Sequence, residues 1–305
     1  MIQNQKLKFT LNPSVLSDWK DVDGEIIQRA VVGNRLSNIR GLRQVPNVVG
    51  SVELPFIYSN PSFTNIVCNT TTSGTTSLGT TSVSTCFVSV HEELCEQDLQ
   101  GKTFSKFLNG KLSETLPFEE AIAAEFEDQI SAFVEKQWFQ GHPSVAVDGV
   151  LCNGLYYLLD SNSASTLNAT YTALTASNAI GCIDYLLSLV PDAARTMPAL
   201  NILLKPADWQ ALKIANRNAD YFQQENQDSN PNEFKVPGYN NVYAQAYDGA
   251  TSKIVISYGE TLIQPYNLNS SIELYYDKSK RKYTKHADFR IGAGCHFFSH
   301  VVYAK

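Results

Sequence analysis

The chain has 305 residues, of which 43% are hydrophobic and 18% are charged, so it is long enough to fold around one large or two medium cores. Its 24 Lys and Arg against 30 Asp and Glu give a net charge of -6, which excludes a dedicated nucleic-acid binder with a strongly basic surface. Any contact with DNA must therefore be local. The start of the chain lacks the apolar segment of a signal peptide, and no stretch approaches about 18 uninterrupted apolar residues. We therefore expect synthesis in the cytoplasm and no membrane partner.

The six cysteines lie at positions 68, 86, 95, 152, 182 and 295 and show no CxxC spacing. Zinc sites and disulfide frameworks normally show closely spaced pairs of cysteines in the sequence. The sequence therefore predicts reduced, buried thiols.

A short helical pattern between Gly24 and Arg43 carries a local excess of basic side chains. These are Arg29, Arg35, Arg40 and Arg43. The segment could face a polyanion such as DNA or the carboxylates of a neighbouring subunit. A solvated helix face is an equally good explanation.

Two segments with the character of β-strands follow, and they look like the two arms of a hairpin. Residues 48–56 alternate between apolar and other side chains, and residues 83–90 are rich in β-formers. From Leu54 through Val90 there is no Asp, Glu, Lys or Arg. Uncharged exposed strand edges invite aggregation, so the pattern makes sense if a neighbouring subunit covers the hairpin. A disordered linker is the alternative, and composition favours it for roughly residues 69–82.

Two short helical pieces are predicted next, at residues 91–99 and 103–108. They lead into the longest helical pattern of the chain, from Pro117 to Gln140. Pro117 suits a first helical turn, and Gly141 with Pro143 ends the helix. At about 1.5 Å per residue this helix is roughly 36 Å long.

One face of the long helix is apolar, and its acidic side chains, Glu135 among them, are assigned to a solvated face. The apolar positions are Phe118, Ile122, Phe126, Ile130, Phe133, Val134 and Trp138. We interpret the helix as a spine that crosses a sheet-based domain. An ordinary amphipathic surface helix is the alternative.

The remainder of the chain mixes helices and strands. A helix is predicted at about residues 178–190, a strand at 200–204, a helix opened by Pro206, and a polar loop at 218–238. Strands are predicted at 241–247, 253–259 and 271–276, followed by a basic turn at 278–282. The segment 289–303 closes the chain, with apolar residues at odd positions.

None of the common catalytic or nucleotide-binding motifs is present. His296 and His300 are the best metal candidates, but four residues along a strand span about 13 Å, which is too far for one ion. We therefore expect core or interface histidines there. No catalytic, cofactor-binding or metal-ligating residue is predicted, no cofactor is implied, and the chain is not expected to be an enzyme.

The order of these parts resembles the major capsid proteins of tailed double-stranded DNA bacteriophages, which share the Hong Kong 97-type fold. The resemblance covers roughly residues 25–305. It is strongest in AIAAEFEDQISAFVEKQWFQG, in the strand-to-helix step NILLKPADWQAL, and in the ending HADFRIGAGCHFFSHVVYA.

The resemblance implies an α+β capsid fold with five parts. An N-terminal arm would comprise residues 1–44, and an extended β-hairpin loop residues 45–92. A peripheral domain with the spine helix would comprise 93–143, an axial domain 144–250, and a closing β-segment of both domains 251–305.

The function implied by the resemblance is structural. Subunits would assemble into hexamers and pentamers of an icosahedral virion shell, built in the host cytoplasm, that encloses double-stranded DNA without sequence preference. The implied partners are the chain itself, a portal, a separate scaffold protein and decoration proteins. Some relatives crosslink a loop lysine to a neighbour's asparagine; the loop here has no lysine, so no such crosslink is expected.

Two other functions stay open at this point. One is an encapsulin-like nanocompartment shell, which encloses enzymes in place of DNA. The other is an α+β enzyme that uses the loop at 218–238 as a lid, which a deep pocket containing an acid with a shifted pKa would support.

Overall fold

The computed structural model describes residues 28–60, 75–95, 118–195, 197–219, 233–268, 272–277 and 282–305. The arm-like residues 1–24, the predicted helix at 103–108 and most of the polar loop lie outside these ranges. In the described part of the chain, no helix has the length and apolarity needed to span a membrane.

Five α-helices have both ends within the described ranges. They are α1 (Phe118–Gln140), α2 (Leu155–Ser161), α3 (Ala179–Ser188), α4 (Asp192–Arg195) and α5 (Pro206–Asn218). Residues 28–32 are also helical, and single 3-10 turns occur at Arg35–Asn38, Gly259–Thr261 and Phe298–His300.

The strands form two six-stranded sheets and one two-stranded sheet among the described residues. The first sheet contains β1 (Arg43–Val45), β4 (Cys86–Cys95), β10 (Leu262–Asn267), β11 (Ile272–Asp277), β12 (Lys282–Ile291) and β13 (Gly294–Cys295). The second, in spatial order, contains β5 (Leu167–Ala169), β14 (Val302–Ala304), β9 (Ile254–Tyr258), β6 (Leu200–Leu204), β8 (Val242–Ala246) and β7 (Glu233–Lys235). The third is the hairpin of β2 (Ser51–Asn60) and β3 (Thr75–Ser84).

The long helix α1 is confirmed, and it packs at the centre of the larger core. Phe126, Ile130, Val134 and Trp138 are buried there, four residues apart as the helical period requires. Trp138 Nε1 also donates a hydrogen bond to the carbonyl oxygen of Ile263 in β10, at 3.3 Å. The helix is therefore a buried spine and not an amphipathic surface helix.

The assignment of Glu135 to the solvated face of α1 is wrong. Its side chain is buried, and Oε1 accepts a hydrogen bond from the backbone N–H of Gly249 at 2.7 Å. Burial raises the pKa of Glu135, and the bond from Gly249 opposes that rise only in part. The loop after β8 covers this side of the helix, which helical periodicity alone cannot reveal.

The second sheet separates two hydrophobic cores. On one face, Ile202, Ile256 and Val302 pack with α3 and α5; on the other, Leu203, Val255 and Tyr303 join the core around α1. Because side chains alternate along a strand, a sheet covered on both faces buries every residue of its central strand. This explains why all five residues of β6, the predicted strand 200–204, are buried.

The hairpin is present, but its second arm differs from the prediction. Ser51–Asn60 pairs antiparallel with Thr75–Ser84, so most of the segment interpreted as a possible linker, from residue 75 onward, is strand β3. The apolar run at 83–90 is split. Its later part belongs to β4, which pairs with β12 in the first sheet.

The helix predicted at residues 91–99 is also wrong where the chain is described. Residues up to Cys95 continue strand β4, and His91 lies opposite His286 of β12. Ten consecutive pairs with a strand distant in the chain outweigh the local helix propensity of the two glutamates.

The prediction of reduced cysteines is wrong at two positions. Cys86 and Cys152 form a disulfide, with their Cα atoms 5.4 Å apart, while Cys182 and Cys295 are free. The partners are 66 residues apart, so their spacing carries no signal in the sequence. The bond ties the first residue of β4, directly after the hairpin, to the loop that follows α1.

Candidate assembly surface

The β2–β3 hairpin stands apart from the two large sheets. Among the described residues, β2 and β3 pair only with each other. A two-stranded hairpin is marginally stable by itself in water, so its far end needs support from elsewhere.

The far end of the described hairpin presents large apolar side chains to solvent. Ile57 and Leu78 are directly opposite in the register and are 69% and 79% exposed. Val49, just before the hairpin, is 66% exposed. Glu53 is the only charged residue in the sequences of the two strands. A two-stranded ribbon with a single charged residue and large exposed apolar side chains is typical of a surface that is covered by a partner.

The base of the hairpin, in contrast, is fixed to the subunit. Leu54 and Val83 pack with Ile263 of β10 in a small buried cluster. Gly292 and Gly294 let the hairpin pack closely against the body of the subunit, because they carry no side chain. A Cβ at Gly294 would lie 2.6 Å from Cγ1 of Val83. The hairpin therefore has a rigid base and an exposed end.

A cluster of rings packs the hairpin against the body of the subunit. The ring of Phe56 makes edge contacts with His296, at 5.1 Å between centroids, and with Phe297, at 5.5 Å. On the opposite strand, Gly79 pairs with Phe56, and the ring lies where a side chain at Gly79 would be. Burial, together with the nearby charge of Arg43, lowers the pKa of His296, so its ring is neutral at pH 7.

His296 and His300 therefore lie at an internal contact between the hairpin and the body of the subunit. His300 belongs to a 3-10 turn, and its ring lies 5.6 Å from that of Phe297. In the part of the chain that the structure describes, no group of three or more His, Cys, Asp or Glu side chains could hold a metal ion. The role of His296 at the hairpin base could not be read from the sequence, because Phe56 is far away in the chain.

The structure offers little support for a catalytic site. A cleft of about 510 Å³ lies at the end of α1 and is lined by residues that include His142, Tyr157 and Asp160. Burial raises the pKa of Asp160, but hydrogen bonds from Lys305 and Lys253 outweigh that effect, so the pKa of Asp160 is lowered. The acid with a raised pKa, Glu135, does not line this cleft. Asp160 is held as a carboxylate by these two lysines, and the acid with a raised pKa lies outside the cleft, whereas a general acid would combine a raised pKa with a place in the cleft.

The basic segment before the hairpin contacts acids of its own subunit. Arg29 lies 3.6 Å from Glu127 of α1, Arg35 forms an ion pair with Asp248, and Arg40 Nε lies 2.5 Å from Glu233 Oε1. Side-chain amides reinforce the attachment: Gln245 donates to the carbonyl oxygen of Asn38, and Asn201 to that of Arg40. Three of the four arginines thus hold this segment against the body, and Arg43 is exposed at the start of β1.

Arg40→Ala is expected to reduce the free energy of unfolding by about 2–3 kcal/mol, because it leaves the carboxylate of Glu233 buried without its charged partner. The Glu233 side chain is only 5% exposed, and the Arg40 guanidinium also stacks on Tyr243 at 3.8 Å. Arg35→Ala is the matched control, since both partners of that ion pair are exposed and the loss should stay below about 1 kcal/mol. Chemical denaturation measures both variants. Equal effects would contradict the anchoring role of Arg40.

No protein-family model matches the sequence, and no curated protein matches it. The fold is similar to that of a chain in the structure of the satellite phage P4 procapsid, with a TM-score of 0.59 and 12% sequence identity. The match covers 98% of this chain and 93% of that chain. It is also similar to the capsid of an empty GTA particle, with a TM-score of 0.53, 10% identity, and 100% of this chain and 94% of that chain covered.

A third similar structure is a virus-like particle from Pyrococcus furiosus. It has a TM-score of 0.52 and 9% identity, and the match covers 94% of this chain and 100% of that chain. The chain therefore has the fold of these shell subunits, the Hong Kong 97-type fold that the resemblance implied.

Proposed function

We propose that the chain is the major capsid protein of a tailed double-stranded DNA bacteriophage, a structural subunit of the virion shell and not an enzyme. Hexamers and pentamers of the chain would tile an icosahedral shell around the packaged genome. The observation that carries the proposal is a hairpin with one charged residue and exposed apolar side chains at its end, on a fold shared with shell subunits.

The five-part division of the chain is part of this proposal. Residues 1–44 would be the arm, 45–92 the extended loop, 93–143 the peripheral domain with the spine helix, 144–250 the axial domain, and 251–305 the closing segment. The separate cores around α1 and around α3 with α5 support a division into peripheral and axial domains.

The proposed partners are other copies of the chain, a scaffold, a portal, decoration proteins and DNA bound without sequence preference. The P4 procapsid includes a size determination protein, which supports an accessory partner for this fold. Because three basic side chains before the hairpin contact the subunit's own acids, DNA contact through Arg29, Arg35 or Arg40 would have to compete with these pairs.

Sedimentation velocity of the purified chain over a range of concentrations tests the proposal. Each subunit contact is modest but every subunit makes many, so large particles should form steeply above a threshold concentration. A stable monomer at high concentration, in every salt condition and with any scaffold supplied, would contradict it. Genes for a portal and a terminase nearby would favour a phage coat, whereas a neighbouring cargo enzyme would favour the encapsulin-like alternative.

Gly79→Val should reduce particle yield with only a small loss of stability. The new side chain would displace the Phe56 ring from His296 and Phe297 and so change the direction of the hairpin, at a cost of about 1 kcal/mol. Thr80→Val, at the neighbouring exposed position, is the control and should assemble normally. Particle yield and thermal unfolding are measured on both. Normal assembly of Gly79→Val would show that the ring contact does not orient the hairpin.

A further inference from the structure

The Cys86–Cys152 disulfide joins the end of the hairpin to the end of the spine helix. Cys86 is the first residue of β4, directly after the hairpin, and Cys152 lies in the loop between α1 and α2. The same loop makes a second link, because Asn153 Nδ2 donates a hydrogen bond to Ser84 Oγ at 3.2 Å. The bond therefore couples the two parts of the subunit that the assembly surface depends on.

The loop that carries Cys152 is fixed without the disulfide. Its two ends meet, because the backbone N–H of Gly154 donates to the carbonyl oxygen of Gly141 at 2.9 Å. Its tip is tied to α1, since Lys136 Nζ lies 2.7 Å from Asp148 Oδ1. Cys152 is thus held near its partner whether or not the bond is closed.

Both redox forms of the pair fit the structure. The sulfur atoms of Cys86 and Cys152 lie 3.2 Å and 3.4 Å from the carbonyl oxygen of Ile291, at the end of β12. A carbonyl oxygen has two lone pairs, so both thiols of a reduced pair can donate their S–H groups to it. Reduction therefore leaves neither thiol without a hydrogen-bond acceptor.

The two sulfurs differ in their access to solvent. Cys86 is half-buried, whereas Cys152 is only 5% exposed. Thiol–disulfide exchange requires direct approach of one sulfur to another, so a small thiol or disulfide reaches the pair through Cys86. The pair thus has one sulfur that meets the solvent and one that is sheltered.

A disulfide is unusual in a protein that is assembled in the cytoplasm. Disulfides are rare in that reducing compartment, and those that form there are mostly transient or redox-sensing. A virion subunit is built in a reducing compartment and then released into an oxidising medium. A bond that responds to this change would be open during assembly and closed afterwards.

We propose that Cys86 and Cys152 form a redox-sensitive switch, open while subunits assemble and closed in the released particle; the timing rests on the proposed function. A low-molecular-weight disulfide such as oxidised glutathione is the oxidant. The closed bond constrains the unfolded chain over 66 residues, which include the spine helix. Closure therefore stabilises each subunit after its hairpin has met a neighbour.

The closing reaction has two exchange steps. The Cys86 thiolate attacks one sulfur of oxidised glutathione, which breaks the glutathione S–S bond, forms a mixed disulfide and releases one glutathione thiolate. The Cys152 thiolate then attacks Cys86 Sγ, which forms the internal bond and releases the second glutathione. Two electrons pass from the cysteine pair to glutathione, and the two thiol protons end on the two glutathione thiols.

Equilibration of the full-length chain in glutathione buffers, followed by acid quenching, alkylation and mass spectrometry, tests the switch. Both thiols should be free in a buffer poised like the cytoplasm, and the bond should be closed in excess oxidised glutathione or in air. The Tm should rise by about 5 °C or more between the two conditions. Cys182→Ser is the control and should show the same transition, because that thiol is outside the pair.

Single variants separate the roles of the two sulfurs. In oxidised glutathione, Cys152→Ser should accumulate a glutathione adduct at Cys86, because exchange stops at the mixed disulfide. Cys86→Ser should gain no adduct at Cys152, which is buried. A bond that stays closed in the cytoplasm-like buffer would overturn the proposal, and so would equal adducts at the two positions.

Particles distinguish failure of the switch from failure of the proposed function. Particles assembled under cytoplasm-like conditions and then oxidised should dissociate at a higher guanidinium concentration than the same particles kept reduced. Particles of Cys86→Ser should not respond to oxidation. Equal resistance of reduced and oxidised wild-type particles would overturn the proposal. If no particles form in any buffer, the proposed function and the timing fail together, whereas the thiol measurements on the subunit still decide whether the pair switches.

Discussion

Replacing residues 57–78 with an Asn-Gly turn should abolish particle formation and leave the subunit folded, because it removes the exposed side chains of Ile57 and Leu78. Phe56 and Gly79 are opposite in the register, so a two-residue turn can join them directly. The buried base of the hairpin, with Leu54 and Val83, is retained. We expect the free energy of unfolding to stay within about 1 kcal/mol of wild type, since a shorter loop costs little to close.

Trp138→Ala is the contrasting variant for the hairpin experiment. It removes a buried side chain from the spine helix and should cost about 3–5 kcal/mol, which damages the subunit itself. Ile57→Ser combined with Leu78→Ser removes the exposed apolar end alone and should also prevent assembly. Melting of the shortened chain would show that the hairpin is core structure. Normal assembly of the shortened chain would show that the hairpin end plays no part in subunit contacts.

Loss of the Cys86–Cys152 disulfide should lower the free energy of unfolding by about 4 kcal/mol. The bond closes a loop of 66 residues, and this is the value expected from the entropy that such a bond removes from the unfolded chain. The change is Cys86→Ala with Cys152→Ala, measured by chemical denaturation against oxidised wild type. Reduced wild type should behave like the double variant. Cys182→Ser is the control, because that thiol is free.

Two results would contradict this role of the disulfide. One is an unchanged denaturation midpoint in the double variant. The other is detection of both thiols as free in wild type by mass spectrometry under non-reducing conditions.

Local signals in the sequence predicted three of the five described α-helices, α1, α3 and α5, but not the shorter α2 and α4. The spine helix and α5 were predicted with nearly correct starts, because Pro117 and Pro206 mark first turns and apolar side chains recur at helical spacing. The buried strand β6 was found because a short apolar run after a helix favours a strand covered on both faces.

Strand pairing over long distances explains the errors. The second half of β4, residues 91–95, was taken for a helix because its partner, β12, lies almost two hundred residues later. β10 was missed because Pro265 argues against a central strand. Pro265 is tolerated where β10 pairs in parallel with Val45 of β1. The same distance concealed the disulfide and the contact of Phe56 with His296.

The proposal that the hairpin is an assembly surface began from the absence of charge between Leu54 and Val90, which is a property of the sequence alone. What the sequence could not show is where the hairpin is anchored and which of its side chains are exposed. Those depend on Ile263, Gly294 and His296, all far from the hairpin in the chain.

Electron micrographs of the concentrated wild-type chain test the central claim most directly. Closed or tubular particles with hexameric and pentameric capsomers are the predicted result, because the fold is that of shell subunits and the hairpin needs a neighbour to cover its apolar end. A uniform field of single subunits or small, closed oligomers under every assembly condition would contradict the claim.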